Sequence, residues 1–298
     1  MDRSSSASGG PEEVFIEDGA ELSSVLMERA SPTDAGRRLR PLPRVSAVVP
    51  TLNEEANLRY VLPLLCRYVD EIVVVDGHST DDTVGAARNL CPEAQIVLHE
   101  TRGKGAALRR GFDAASGDIV VMIDADGSND PREVPRFVGA LVSGADFAKG
   151  SRFLLGGGTT DMPWYRRFGN KVFVWLVRLF FGSRYSDLCY GYNAFWRDVI
   201  DTLSLDGDGF EIETMINVRA ARAGFNIVEV PSFEAERIHG DSNLQTLRDG
   251  WRVLRTILHE RLASPPVTRV KRHRATLVEL ETQKSRRLRE AFATMRDA

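Results

Sequence analysis

Cysteine is scarce in this chain. Cys66, Cys91 and Cys189 show neither C-x-x-C nor metal-ligand spacing, and they read as reduced thiols of a cytosolic protein. The histidines, His78, His99, His239, His259 and His273, have no metal spacing either. No secretory leader is visible, because the first fifteen residues are rich in serine, glycine and acids and lack an apolar stretch. No run approaches the roughly 18 apolar residues that span a bilayer. The nearest, residues 172–181, is short and carries Arg178. A net charge of −3 gives no global attraction to nucleic acid. What remains is an ordinary globular composition, 43% hydrophobic and 27% charged over 298 residues. That length is enough for one large α/β domain with additions.

Three regions follow from the texture. Residues 1–43, from MDRSSSASGG to the basic GRRLRPLPR, read as a flexible arm with room for a short helix near 20–30. Residues 44–262 form the core. Residues 263–298, after Ser264-Pro265-Pro266, read as a charged helical tail. Within the core, strands are expected at 45–50, 71–76, 95–99, 118–123 and 146–150. Helices are expected at 54–68, 80–90, 105–116 and 131–143, with Ser79 or Thr80 capping the second and Pro131 opening the fourth. The alternation means a mostly parallel sheet with helices on both faces. Beyond Gly150 the pattern loosens into a loop at 156–160 and helices at 164–181, 210–223 and 247–259. One or two strands are expected at 226–236.

The apolar run Ile119–Ile123 stops on Asp124-Ala125-Asp126. Two carboxylates at the carboxyl edge of a sheet lie where open α/β sheets bind ligands. They suit a hard divalent cation that grips a diphosphate; the plainer reading is polar loop residues that cap the helix after Pro131. Two more acid-bearing loops close neighbouring strands, PTLNEE (50–55) and VDGHSTD (75–81). Asn53 and Ser79 read equally well as helix caps.

Taken together, VSAVVPTLNEEANL, EIVVVDGHSTDDT, TRGKGAALRRGFDAASGDIVVMIDADGS and FAKGSRF resemble the family-2 glycosyltransferases. Within them the chain is most similar to dolichyl- and polyprenyl-phosphate mannosyl- and glucosyltransferases, over about residues 44 to 258. The resemblance implies a glycosyltransferase-A fold with a Rossmann-like sheet, residues 44–262 being the catalytic domain. It also implies a nucleotide-sugar donor, a Mg²⁺ or Mn²⁺ ion and inversion at the anomeric carbon. By the same resemblance, Pro50, Leu52, Glu54 and Asp76 contact base and ribose. Asp124 holds ribose or a water on the ion, and Asp126 binds the ion directly. Ser128 stands where the family often has a longer glutamine ligand. Lys104, between Gly103 and Gly105, faces the nucleotide phosphates. A cation at the positive end of a helix needs an anion beside it, and the two glycines let the backbone come close.

Gly150-Ser151-Arg152 resembles the family's strand-end motif, in which the arginine faces a substrate phosphate with its forked guanidinium. Ser186–Phe195 resembles D-x-x-S-G-F-R-A-F, with Tyr190 for serine and Asn193 for arginine. It makes Asp187 the residue that steers or deprotonates the acceptor. Glu236–Leu244 resembles R-x-x-G-x-S-K-L, keeping Arg237 and Ser242 and placing Asn243 where lysine is usual.

The expected reaction moves a hexose from GDP-mannose or UDP-glucose to a polyprenyl phosphate at the cytoplasmic face of the inner membrane. An ionised phosphate needs no strong base. The alternative is a soluble glycosyltransferase acting on a small hydroxylated acceptor, with Asp187, Glu211 or Glu213 as base. A third reading is a non-catalytic nucleotide-sugar-binding protein. Nucleic acid is not an expected partner. The membrane surface is one, because the 164–181 helix mixes Arg166, Arg167, Lys171 and Arg178 with aromatic residues. The same mixture also fits a core helix with snorkelling cations.

Overall fold

The computed structural model describes residues 42–101, 103–160, 162–240 and 246–263. Residues 1–41 of the arm, 264–298 of the tail and the positions of Ser242 and Asn243 lie outside the described residues. The compact unit begins at Pro43.

Its centre is a seven-stranded sheet built from β1 (Val45–Thr51), β2 (Glu71–Asp76), β3 (Gln95–Leu98), β4 (Ile119–Met122), β5 (Phe147–Ser151), β7 (Asn193–Trp196) and β8 (Ile227–Pro231). The order is β3-β2-β1-β4-β7-β5-β8. All neighbours pair in parallel except β7, which runs antiparallel to both β4 and β5. A separate parallel pair joins β6 (Gly158–Thr159) to β9 (Phe233–Glu234). Valine-rich strands with both faces covered suit a parallel sheet. Along β1, Val45, Ala47 and Val49 enter one core while Val48 enters the other, the period-two alternation of a pleated strand.

Helices α1 (Glu55–Leu65), α2 (Thr83–Leu90) and α4 (Val134–Val142) cover the first face through Leu58, Leu62, Ala87 and Phe137. Helices α3 (Lys104–Ala114), α6 (Arg197–Leu203) and α7 (Glu211–Arg222) cover the second through Leu108, Phe112, Val199 and Ile216. A third core, centred on Val177, Leu188, Val218 and Ile257, joins α5 (Trp164–Phe181) and α8 (Thr246–Leu262) to α7.

The alternating half agrees with the sequence reading to within a few residues at element ends. Helix α2 begins at Thr83 because neither Ser79 nor Thr80 caps it. The Ser79 hydroxyl donates to Asp76 Oδ1, and the Thr80 backbone N–H donates to Asn53 Oδ1. Asn53 in turn donates its N–H to Ser79 Oγ. These residues lock the loops after β1 and β2 to each other. The fourth helix starts late, at Val134, behind a 3₁₀ turn at Pro131–Glu133 whose Asp130 side chain accepts from Arg132 N. The sequence reading has neither β7 nor α6, and residues 158–159 form a strand inside the expected loop. Cys66, Cys91 and Cys189 are free thiols. Burial pushes the Cys189 thiol up to about 12, so it is not poised as a nucleophile.

Candidate active site

Strands β1, β2, β4 and β5 all end on one edge, and antiparallel β7 begins there. The residues before β7 therefore arrive beside the ends of its neighbours. Around this edge lies a cavity of about 710 Å³. Pro50, Leu52, Glu54, Lys104, Asp124 and Asp126 line it, as do Ser128, Arg152 and Arg237. Helices α5 and α8 also line it, through Tyr165, Arg166, Asn170, Phe173, Asp249 and Val253, next to Met162.

Lys104 opens α3. Its Nζ lies 2.7 Å from Asp124 Oδ1 and 2.7 Å from Glu213 Oε1. Burial alone would lower the Lys104 ammonium, yet the two carboxylates outweigh it and hold it above its ordinary value. Asp124 is nevertheless pushed up to about 6, by burial first and then by Asp126 and Glu213, against the opposing pull of Lys104. The anion that Lys104 requires is thus supplied by the protein itself. The flanking glycines serve a different purpose from the one expected. The N–H groups of Gly105 and Ala106 donate to Asp208 O, at 2.9 and 3.1 Å. A Cβ on Gly103, whose φ is +130°, would lie 2.1 Å from the same carbonyl. The glycines admit the 207–209 backbone rather than a phosphate. Gly103→Ala is expected to destabilise the fold by about 1–3 kcal/mol and lower the melting temperature accordingly, which calorimetry would read directly.

Asp126 Oδ1 accepts from both the Ser128 backbone N–H (3.0 Å) and its hydroxyl (2.7 Å). Ser128 therefore orients Asp126. Asp126 Oδ2 faces Arg237 Nη2 at 3.3 Å, and Arg237 Nη1 donates to Glu54 Oε1 at 2.9 Å. Burial raises the Glu54 carboxyl, partly offset by bonds from Asn57 and Arg237. Around the two strand-end acids, four carboxylates (Asp124, Asp126, Glu54 and Glu213) face two cations, Lys104 and Arg237. That surplus of hard oxygen donors fits Mg²⁺ or Mn²⁺. Among the described residues no three acidic, imidazole or thiol side chains converge enough to hold an ion alone. An ion at Asp126 and Asp124 would need oxygens from a diphosphate, the usual mode for Mg²⁺.

Three expected contacts are placed otherwise. Asp76 is buried behind the cavity wall, and its carboxylate accepts from Ser79 N (3.0 Å) and Ser79 Oγ (2.5 Å). It shapes the loop that brings Gly77 and His78 to the cavity. Asp187 is 0% exposed. It accepts from Arg152 Nε at 2.7 Å and from Arg152 Nη2 at 2.9 Å, so it cannot meet an acceptor. Arg152 has no N–H to spare, because its remaining donors go to Cys189 O and to both oxygens of Glu234. Its face stacks over the Tyr190 ring at 4.7 Å. The wholly buried Lys149 donates to Gly150 O and Tyr190 O. Arg152, Asp187 and Lys149 thus form the frame under residues 187–190. Asn193, where the motif has arginine, is buried within β7 and donates to Tyr190 O.

Gly191, the glycine of the Ser186–Phe195 motif, also lines the cavity, as do Asn170 and Thr214, for which the sequence carries no signal. A Cβ on Gly191 would meet Glu213 and Lys104 at 2.7 and 3.0 Å, so glycine keeps that wall open. Asn170 Oδ1 accepts from the Leu188 and Cys189 backbone.

Residues 46–203 match the model of glycosyl transferase family 2. The chain belongs to that family. The glycosyltransferase is 35% identical over 220 residues to the polyprenol monophosphomannose synthase of Mycolicibacterium smegmatis, spanning 69% of this chain and 83% of that protein. It is 32% identical over 211 residues to the dolichol-phosphate mannosyltransferase of Pyrococcus furiosus, spanning 68% of this chain and 59% of that one. The crystal structure of Mycobacterium tuberculosis glucosyl-3-phosphoglycerate synthase with phosphoglyceric acid superposes with a TM-score of 0.60 at 28% identity. That match covers 78% of this chain and 82% of the other. A second structure of that synthase, holding Mn²⁺, uridine diphosphate and phosphoglyceric acid, gives 0.59 at 27% identity, covering 76% and 80%. The fold is of the glycosyltransferase-A type, and the protein is a hexosyltransferase enzyme. Among the described residues no helix is long and apolar enough to cross a membrane.

Proposed function

We propose that this enzyme transfers a hexose, with inversion, from GDP-mannose or UDP-glucose to a polyprenyl phosphate. The observation that carries the acceptor is the continuity of the cavity. It runs from the charged edge at Lys104, Asp126 and Arg237 to the α5 and α8 lining, where Met162, Tyr165, Phe173 and Val253 stand beside Arg166, Asn170 and Asp249. A phosphate head with an apolar tail has that pattern. The named relatives from Mycolicibacterium and Pyrococcus support it.

Pro50, Leu52 and Glu54 would hold base and ribose. Mg²⁺ or Mn²⁺ on Asp126 and Asp124, when bound, supplies positive charge to the leaving diphosphate. Lys104 adds fixed charge to the same group, with Glu213 holding its ammonium in place. Arg237, paired with Glu54 and Asp126, and Arg166 of α5 are the cavity-lining cations that would meet the acceptor phosphate, because Arg152 is committed to Asp187 and Glu234. The acceptor arrives ionised, so no base is needed. Asp187 then acts as a positioning residue through Arg152.

A soluble reading, with a small hydroxylated acceptor, is favoured by the likeness to glucosyl-3-phosphoglycerate synthase. It would need a base on the cavity wall, and Glu213 and Glu234 are there. A thermal-shift screen of GDP- and UDP-sugars with Mn²⁺ tests the donor, because binding must raise the melting point by mass action. No shift with any of them would overturn the donor reading. Arg237→Lys keeps the charge and loses the fork, so the acceptor KM should rise by about tenfold while the donor-induced shift persists. Loss of that shift would place Arg237 on the donor instead.

A further inference from the structure

Three cysteines are spread over 298 residues, yet two of them touch. Cys66 caps the C-terminus of α1, and Cys91 caps that of α2. Their sulfurs lie 2.9 Å apart, although the residues are 25 positions apart in the chain. A disulfide needs two side chains that point at each other and sulfurs about 2.05 Å apart. The first condition is already met, and the second asks for less than about 1 Å of side-chain movement.

The fold sets this pair up. Helices α1 and α2 pack against each other and on the same face of the sheet, through Leu62, Leu65 and Ala87, and Cys91 belongs to that core. At their starts the helices are joined by hydrogen bonds. The Glu55 N–H donates to Asp81 Oδ2, and the Asp82 N–H donates to Glu55 Oε2. At their far ends the two thiols meet. Neither cysteine lines the cavity, so the transfer reaction does not use them. Among the described residues no third ligand-type side chain completes a metal site with them.

The two thiols differ in access. Cys66 is an exposed residue, whereas Cys91 is 6% exposed. A reagent in solution therefore reaches Cys66 first and finds Cys91 beside it, the arrangement of an accessible thiol with a resolving partner.

We propose that Cys66 and Cys91 are an oxidation site that closes to a reversible intramolecular disulfide when a low-molecular-weight disulfide acts as oxidant. The Cys66 thiolate attacks one sulfur of the oxidant, forms a mixed disulfide and releases one thiolate. Cys91, as thiolate, then attacks Cys66 Sγ, and the second thiolate leaves. The two protein thiols lose two protons and two electrons, and the oxidant is reduced to two thiols. The Cys66 sulfur is turned inward, and that partial burial, with the Cys91 thiol beside it, holds the Cys66 thiol above its ordinary value. Thiolate is therefore scarce near neutral pH and the first attack is slow. The consequence is mechanical. The loops that precede α1 and α2 carry Leu52, Glu54 and His78 to the cavity. The bond would fix the two helices to each other at the ends away from those loops, and it holds for either acceptor.

The test treats the full, folded chain with excess oxidised glutathione at about pH 8.5 for hours, the timescale of uncatalysed exchange. Free thiols are then blocked, and the peptides are mapped by mass spectrometry. The expected product is a bridge between the Cys66 and Cys91 peptides, with Cys189 recovered as a free thiol. The bridged enzyme should melt about 5–10 °C above the reduced one, because the cross-link constrains the unfolded chain, and dithiothreitol should reverse the rise. Cys66→Ser, at an exposed position, should keep the parent melting temperature under reducing conditions and lose both the bridge and the rise. Cys91→Ala should leave glutathione trapped on Cys66.

Four results would overturn the proposal. One is no bridge in the folded enzyme, including a bridge that forms only after urea is added. Another is glutathione that remains on Cys66 of the parent as the final product. The third is a cross-link between two chains in place of the internal one. The last is a bridged form that melts no higher than the reduced one.

Discussion

Asp126→Ala is expected to lower kcat by at least about 10³ and to remove the effect of divalent metal on donor binding. The reason is local. Asp126 is one of two strand-end acids in a cluster where four carboxylates face two cations, and Ser128 fixes its orientation through two bonds. Without it, Arg237 retains Glu54 as a partner, so the loop bearing Arg237 should stay in place. Titration of the nucleoside diphosphate with Mn²⁺ and with EDTA checks the assignment. If the parent enzyme binds equally well under both conditions, Asp126 is not a metal residue. Asp126→Asn sharpens the test, because it can still accept from Ser128 and loses only the charge.

Asp187→Ala should be the most destabilising single change at this edge, by about 3–5 kcal/mol near neutral pH. It would leave the buried Arg152 guanidinium with Glu234 as its remaining acid, beside the buried Lys149. Urea denaturation measures the loss. Burial alone would raise the Asp187 carboxyl, but the charge and hydrogen bonds of Arg152 hold it below its ordinary value of 3.8. A depressed folded value means that the stabilisation is fully present above the ordinary carboxylate range and is lost as pH falls through the folded value. The gap between parent and variant should therefore be flat from neutral pH to about pH 5 and close below about pH 4. A gap unchanged in acid would contradict the ion-pair account. Asp187→Asn should also depress turnover whatever the acceptor, because it acts through Arg152, and so it does not separate the two acceptor readings.

The sheet and the strand-end acids were legible because both are periodic and local. Valine-rich runs ending on acids read as parallel strands, and three such ends had to share an edge. Strand β7 was not legible. It is four residues long, opens on Asn193 and lies inside a segment whose motif drew attention to chemistry. Its role in the sheet comes from pairing with β4 and β5, which are distant in sequence. The roles of Arg152 and Asp187 were misread for a related reason. A motif says which residue types recur, whereas the partner of a buried charge depends on the whole fold, here Glu234 from β9. Asp76 and Gly103 show the same limit, each spent on its own backbone surroundings rather than on a ligand.

The reversed strand β7 also constrains how the protein can be made. Strands β1 to β4 are complete once residue 122 has left the ribosome, and they can pair as a parallel sheet. β5 follows next in the chain, yet it joins that sheet only through β7, some forty residues later. Until Trp196 emerges, β4 and β5 both present unpaired edges, the kind that invites pairing with another chain. Synthesis that stalls between Ser151 and Asn193 would therefore release a chain with an open sheet rather than a smaller finished domain.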